Sequence, residues 1–196
     1  MSRRLSPAFV LIALLVCVVV TGPLLSPYAP NAQLDIITLR SQAPSLAHPF
    51  GTDAVSRDVL SRVLDGGRVS LALAILSVSL SLVVGTLYGA ISTLAGGVID
   101  TTMRRVLDVA LSIPRLLVLL AVGALWGALS FPALVLLIGL TGWFATARLV
   151  TDELRALGAL EFAIAARAMG VRGPRLLWRH LLPHLLPTLV ITASFG

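Results

Sequence analysis

Two histidines, His180 and His184, stand four residues apart, a spacing that would aim both rings from one helix face at a single metal ion. No third ligand accompanies them and Pro183 falls between, so the pair is not read as a metal site. The lone Cys17 lies in an apolar run with no basic neighbour, which leaves no intrachain disulfide and no activated thiolate. All 15 basic residues are Arg and none is Lys, so the chain lacks the lysine of a phosphate-binding loop and any lysine that could form a Schiff base. H-E-x-x-H, G-x-S-x-G and glycine-rich phosphate loops do not occur, and no carboxylate falls in the central part of an uncharged run as a proton relay would require. No catalytic, cofactor-binding or metal-ligating residue is predicted, and the chain is not expected to be an enzyme.

What remains is a set of charges, and the elements that position them are apolar. Of 196 residues, 57% are apolar and 12% charged, against roughly a quarter charged in soluble domains. The charges cluster between long uncharged runs, a pattern that a bilayer imposes. The expected fold is therefore all-α, a polytopic membrane helical bundle. Pro7 to Leu25 follows Arg3 and Arg4 and reads as an uncleaved anchor span. A cleaved signal peptide is the competing reading; its apolar region would be shorter and an A-x-A site would follow. Val69 to Ile99 holds a second span. Leu116 to Ala147 reads as two helices joined near Gly127 to Pro132, the third span starting upstream near Leu107 with Asp108 and Arg115 in its first turns at the interface. Leu181 to Gly196 is a fifth span, interrupted by the end of the sequence.

When these spans alternate, eleven arginines and five acids fall on one side, while four arginines and four aspartates, all between Ser26 and Arg68, fall on the other. The arginine-rich side is then cytoplasmic and the N-terminus with it. Orientation thus accounts for the net charge of +6 and the pI of about 11.2, and no nucleic-acid partner is needed. In the external segment a helix is predicted from about Asp53 to Gly66, capped by Asp53, with Arg57, Asp58, Arg62 and Asp65 pairing along it. It reads either as a solvated cover for the outer mouth of the bundle or as a surface that receives a substrate-binding protein.

Ser77, Ser81, Gly85, Gly89 and Thr93 recur every four residues along the second span, a small-residue stripe that lets another helix approach closely. Packing inside the subunit and a subunit interface are both compatible with it, the first more so. In the loop from 148 to 180, helical residues run to about Ala156 and Leu157-Gly158 breaks the pattern. A short helix begins near Glu161 and ends at Met169 with Gly170 as terminator. Glu161 and Arg167 complement its dipole, and Phe162, Ala165, Ala166 and Met169 share a face. So short a helix needs a partner surface to be stable. Two are open: a soluble protein whose force it passes to the bundle, or anionic headgroups on which it lies.

Glu161-Phe-Ala-Ile-Ala165-Ala166-Arg-Ala-Met-Gly170, with Leu182-Pro183 downstream, resembles the EAA loop of binding-protein-dependent ABC importers. His48-Pro-Phe-Gly-Thr-Asp53-Ala-Val-Ser-Arg57-Asp58-Val-Leu-Ser-Arg62 is similar to the segment after the first span in the dipeptide, oligopeptide and nickel permeases of the DppC/OppC class, as are Leu111-Ser-Ile-Pro114 and Arg179-His-Leu-Leu-Pro183. The resemblance implies an inner-membrane permease subunit for peptides, or alternatively for nickel or another small solute. It implies a homologous second permease, two cytoplasmic ATPases that bind the ATP and Mg, and an extracytoplasmic binding protein as partners. In such a family the 161–170 segment docks on the ATPase, which makes Glu161, Ala165, Ala166, Arg167, Gly170, Leu182 and Pro183 the expected contact set. The sequence departs from the family pattern in three places: Ile164 replaces the acid that opens the triplet, Ser56 stands where Gly is usual, and five of six spans are seen. The organisation expected is an anchor span over 1–25, an external segment over 26–68 and a transmembrane domain over 69–196 that is C-terminally incomplete. A secondary transporter, or a structural membrane protein whose arginine loop grips lipid, is the reading from a different class.

Overall fold

The computed structural model describes residues 7–26, 28–171 and 173–195; Arg3, Arg4, Arg172 and Gly196, used in the reading above, lie outside the described residues. The architecture is all-α. In chain order the helices are α1 (Pro7–Leu25), α2 (Val59–Ala95), α3 (Gly97–Leu111), α4 (Arg115–Trp126), α5 (Phe131–Gly158), α6 (Glu161–Ala168), the single turn α7 (Pro174–Leu176), and α8 (Leu182–Phe195), with a widened π turn over Leu177–Leu181 between the last two. α2 and α5 are each long and apolar enough to cross a bilayer, and α3 with α4 pass the same test only as a pair bent by 65°. By length and composition the described residues thus give two or three of the five expected spans; α1 and α8, with 19 and 14 residues, are the remaining apolar helices.

The chain divides into two compact units, Met1–Ala72 and Leu73–Gly196. In the first unit, α1 meets the start of α2 through glycines. A Cβ on Gly22 would fall 2.5 Å from Leu64 Cδ2 and one on Gly67 would fall 3.2 Å from Val19. That close approach offsets the roughly 1 kcal/mol that each glycine costs a helix. It also explains why the expected external helix is not a separate element: α2 starts at Val59, not Asp53, and runs through Gly66-Gly67 without a break. Its first turn is capped by Asp58, whose Oδ2 accepts from the Ser61 backbone N–H at 2.8 Å and its hydroxyl at 2.7 Å.

Asp53 instead closes the turn before the helix. Its carboxylate accepts from the backbone N–H groups of Val55 and Arg57, both at 3.0 Å, and from the Arg57 and Arg62 guanidinium groups at 2.8 and 2.7 Å. The backbone N–H of Arg57 is the main reason its pKa is held at about 2, with Val55 and the Arg57 side chain adding to it against the opposing effect of burial. Asp58 is itself nearly inaccessible and pairs with His48 Nδ1 at 3.0 Å, while Tyr28 stacks on the His48 ring at 4.8 Å. Burial pushes the Asp58 carboxyl up, yet the bonds from Ser61 and His48 together hold it below its ordinary value. Ser56, at the turn, adopts a left-handed φ of 59° with its hydroxyl buried and unpartnered.

In the second unit the small-residue stripe of α2 faces α5. Ser77 and Ser81 donate to the Val135 and Gly139 carbonyls at 3.4 and 2.8 Å. A Cβ on Gly85 would lie 2.6 Å from Thr146, and one on Gly89 2.7 Å from Val150. These four residues therefore pack a helix pair inside the chain. The expected continuous third span from Leu107 is not formed. Pro114 lacks an N–H and disfavours helix in the residue before it, so α3 stops at Leu111 and α4 starts afresh at Arg115.

Candidate functional site

The short helix α6 is built as an appendage of α5. α5 continues as far as Gly158, and Ala159-Leu160 turns the chain into α6. At the far end Met169 leaves the helix and Gly170 takes a φ of 86°, where the Val171 N–H donates to the Ala166 carbonyl at 3.0 Å and the Gly170 N–H to the Arg167 carbonyl at 2.9 Å. This pair of bonds satisfies carbonyls that a helix end would otherwise leave bare, and the left-handed residue it needs is glycine. Arg167 folds back so that its guanidinium donates to the Gly158 carbonyl at 2.5 Å, tying α6 to the last turn of α5.

The inner face of α6 is narrow. Ala163 and Ala166 are 0% and 2% exposed and sit in an apolar cluster with Val150, Leu154, Leu176, Leu177, Leu181 and Leu185. Phe162 and Val171 pack against its edge, and Phe162 stacks on the His184 ring at 4.8 Å. Leu177 and Leu181, four apart at the two ends of the π turn, are both turned inward. Larger side chains at 163 or 166 would lift α6 off this bed.

The outer face is what remains: Glu161, Ile164, Ala165, Ala168 and Met169 are exposed, Ile164 and Met169 at 54% and 78%. The expected contact set is therefore divided. Glu161, Ala165 and Pro183 are exposed. Gly170 is exposed and shapes the helix end, Leu182 is half-buried against the apolar cluster, and Arg167 is engaged with α5. Ala166 is a correction: its methyl is used inside the chain and is not presented for docking. The predicted shared face of Phe162, Ala165, Ala166 and Met169 is corrected likewise, because four alanines in eight residues leave the helical period unable to say which side turns inward. His184 Nδ1 donates to the His180 carbonyl at 2.7 Å, and among the described residues no group of three possible metal ligands occurs.

Polar rungs, unseen in the sequence, fix the elements above α6. Asp100, on α3 and only 7% exposed, accepts from Ser92 of α2 at 2.6 Å and from Arg155 of α5, with Arg104 beside it at 3.9 Å. Asp108 pairs with Arg148 at 2.8 Å. Past the break, Arg115 of α4 donates from Nη2 to the Ile138 carbonyl at 3.0 Å and from Nε to Thr141 at 3.3 Å. The α3–α4 stretch therefore runs antiparallel along α5, and the arginine expected at the interface sits against the middle of a spanning helix. Charges spaced seven or eight residues apart on both sides of this pair, Asp100, Asp108 and Arg115 against Arg148 and Arg155, were the available signal.

The model of the family described as "binding-protein-dependent transport system inner membrane component" matches residues 81–195, which is more than half of the chain and contains α6 and all three rungs. The chain belongs to this family. Inner-membrane components of this kind are permease subunits of ABC importers, which are transport components and not enzymes. Among individual relatives, a Brucella abortus protein named as a peptide permease is 40% identical over 185 residues, covering 94% of this chain and 60% of that protein. The dipeptide transport system permease protein DppC of Bacillus subtilis is 31% identical over 183 residues, 93% of this chain and 56% of that protein. The oligopeptide transport system permease protein OppC of Haemophilus influenzae is 35% identical over 158 residues, 80% and 50% respectively. The chain spans between half and three-fifths of the length of these relatives.

Proposed function

We propose that this inner-membrane component forms half of the translocation path of an ATP-driven importer for peptides, paired with a homologous permease, supplied by an extracytoplasmic binding protein and driven by two cytoplasmic ATPases through α6. The N-terminus and the loop from 148 to 180 then face the cytoplasm, as the arginine distribution favours. Peptide as the solute rests on the relatives named for peptide, dipeptide and oligopeptide transport.

The observation that carries the coupling role is the division of α6 into two faces. Its small inner side chains seat it rigidly on α5 and the apolar cluster, and Arg167 pins it, so the outer face of Glu161, Ile164, Ala165 and Met169 is held in a fixed attitude and left exposed by the described residues. A short helix so braced transmits a displacement that a free loop would absorb. Ile164 occupies the position of the usual acid, and its exposed apolar side chain suits a partner groove better than water. The test is Ala165→Arg in the complete assembly: co-purification of the ATPase is expected to fall at least tenfold while membrane insertion is unchanged. Retention of the ATPase at wild-type level by this variant would count against the assignment.

A further inference from the structure

Arg115 is placed where a membrane protein seldom puts a charge. It opens α4, whose 12 residues set it about 17 Å along the helix from Trp126. Its partners Ile138 and Thr141 lie seven and ten residues into α5, about 10 to 15 Å from the start of that helix. Both measures put the guanidinium well inside a hydrocarbon layer about 30 Å thick. An arginine at such a depth is costly against lipid and is found facing a bundle interior or a polar cavity, usually beside a partner of opposite charge. Among the described residues no carboxylate pairs with it.

It does have a cavity. A space of about 300 Å³ is lined by Ser77 and Ser81 of α2, Arg115 of α4, Gly142 and Thr146 of α5 and Thr192 of α8, with aliphatic side chains between them. Gly142 is what makes room: a Cβ there would fall 2.7 Å from Ser81 Oγ and 3.4 Å from Arg115 Nη2. The break at Ser112–Pro114 is what delivers the side chain, because it restarts the helix at this depth.

The hydrogen bonds of Arg115 leave a defined part of it unused. A guanidinium has five N–H groups in a planar fork. The Nε–H goes to Thr141 and one Nη2–H to the Ile138 carbonyl, so among the described residues the edge formed by Nη1 and the other Nη2–H is unbonded, the edge that takes a carboxylate with two parallel bonds. We infer that this cavity is a binding station on the translocation path for the carboxylate group of the transported solute, held end-on by Arg115 and surrounded by hydroxyls. The inference rests on the importer reading and deepens it: the solute class becomes one that carries a free carboxylate, such as a peptide with an unblocked C-terminus. One fixed cation among neutral hydroxyls binds an anion without trapping it, as a transit site requires.

The experiment uses the full-length permease in its assembled complex, with Cys17→Ser and Thr192→Cys, and compares the labelling rates of an anionic and a cationic methanethiosulfonate. The anionic reagent is expected to be favoured at least tenfold over the same ratio in Arg115→Gln, Arg115→Lys is expected to keep the preference, and trialanine should slow anionic labelling more than its C-terminal amide does. Equal ratios with and without Arg115, or no labelling by either reagent because another helix fills the space, would overturn the site. In uptake assays with ATPase co-purification intact, Arg115→Gln is expected to lower trialanine import at least tenfold by reducing the maximal rate. Equal loss for the free acid and the amide would overturn the carboxylate assignment. Anion preference in an assembly that imports no peptide would leave the site standing and sink the peptide reading instead.

Discussion

The loop before α2 and the loop after α5 solve one problem by opposite means. Each must hold the connection between two long helices, 26–58 in the first and 159–181 in the second, in a single shape. The first does so with polar groups: Asp53 and Asp58 gather backbone N–H groups, two arginines, one hydroxyl and a histidine, and the apolar Ile37, Leu46 and Phe50 are left exposed. The second does so with methyls and leucines, and most of its arginines are left outside the cluster. The difference teaches that a polar clamp fixes a local turn through short-range geometry, whereas an apolar bed fixes a whole element and leaves its other face free. A loop of the second kind can offer a surface to a partner without reorganising.

The comparison breaks most sharply at the apolar bed. Ala166→Asp buries a carboxylate with no partner among leucines, and a loss of about 3 kcal/mol or more is expected. Limited proteolysis between Ala159 and Gly173 should accelerate steeply, while Ala165→Arg, one residue away but on the outer face, leaves it unchanged. If the two variants behave alike, the division of α6 is wrong. Next is Asp58→Ala, which removes the cap of α2 and strands the buried His48; about 2 kcal/mol is expected, read as a lower thermal midpoint of the purified subunit.

Smaller effects sharpen the polar side. Ser56→Gly relieves a left-handed φ and removes a buried hydroxyl without a partner, against the greater freedom glycine gives the unfolded chain; a net gain of about 0.5 kcal/mol is expected by thermal unfolding. The least is a pH effect at Asp53. Its folded pKa of about 2 lies below the ordinary 3.8, so its clamp is fully stabilising above about pH 4 and is lost as pH falls toward 2. Proteolysis of the loop before α2 should rise over that range, and Asp53→Asn should abolish the rise.

The limits of α6 were legible because both its ends carry local chemistry: Gly158 and Glu161 at one, Gly170 at the other. Which face turns inward was not legible, since Ala163, Ala165, Ala166 and Ala168 differ in nothing but position and the decision lies with Leu154, Leu177 and Leu181. The start of α2 was misjudged for a related reason. Asp53 and Asp58 are equally good caps by type, and His48, ten residues before Asp58, decides between them. The small residues on α2 lie close against α5, and their spacing is visible in the sequence because steric fit between Gly85, Gly89 and a facing helix depends on size alone. Arg115 was set at the interface because it borders an uncharged run; its depth follows from a break at Pro114 and a partner 23 residues away, which no local window contains.

The bond from Arg167 to the Gly158 carbonyl has a mechanical consequence. It makes α6 the handle of a stiff rod: from Gly158 back to Thr141, α5 is an unbroken helix about 26 Å long, and the hydroxyl at its inner end touches Arg115. A helix of that length barely stretches, so a tug on the handle shifts Thr141 by a similar distance and changes the grip on the one cation in the cavity.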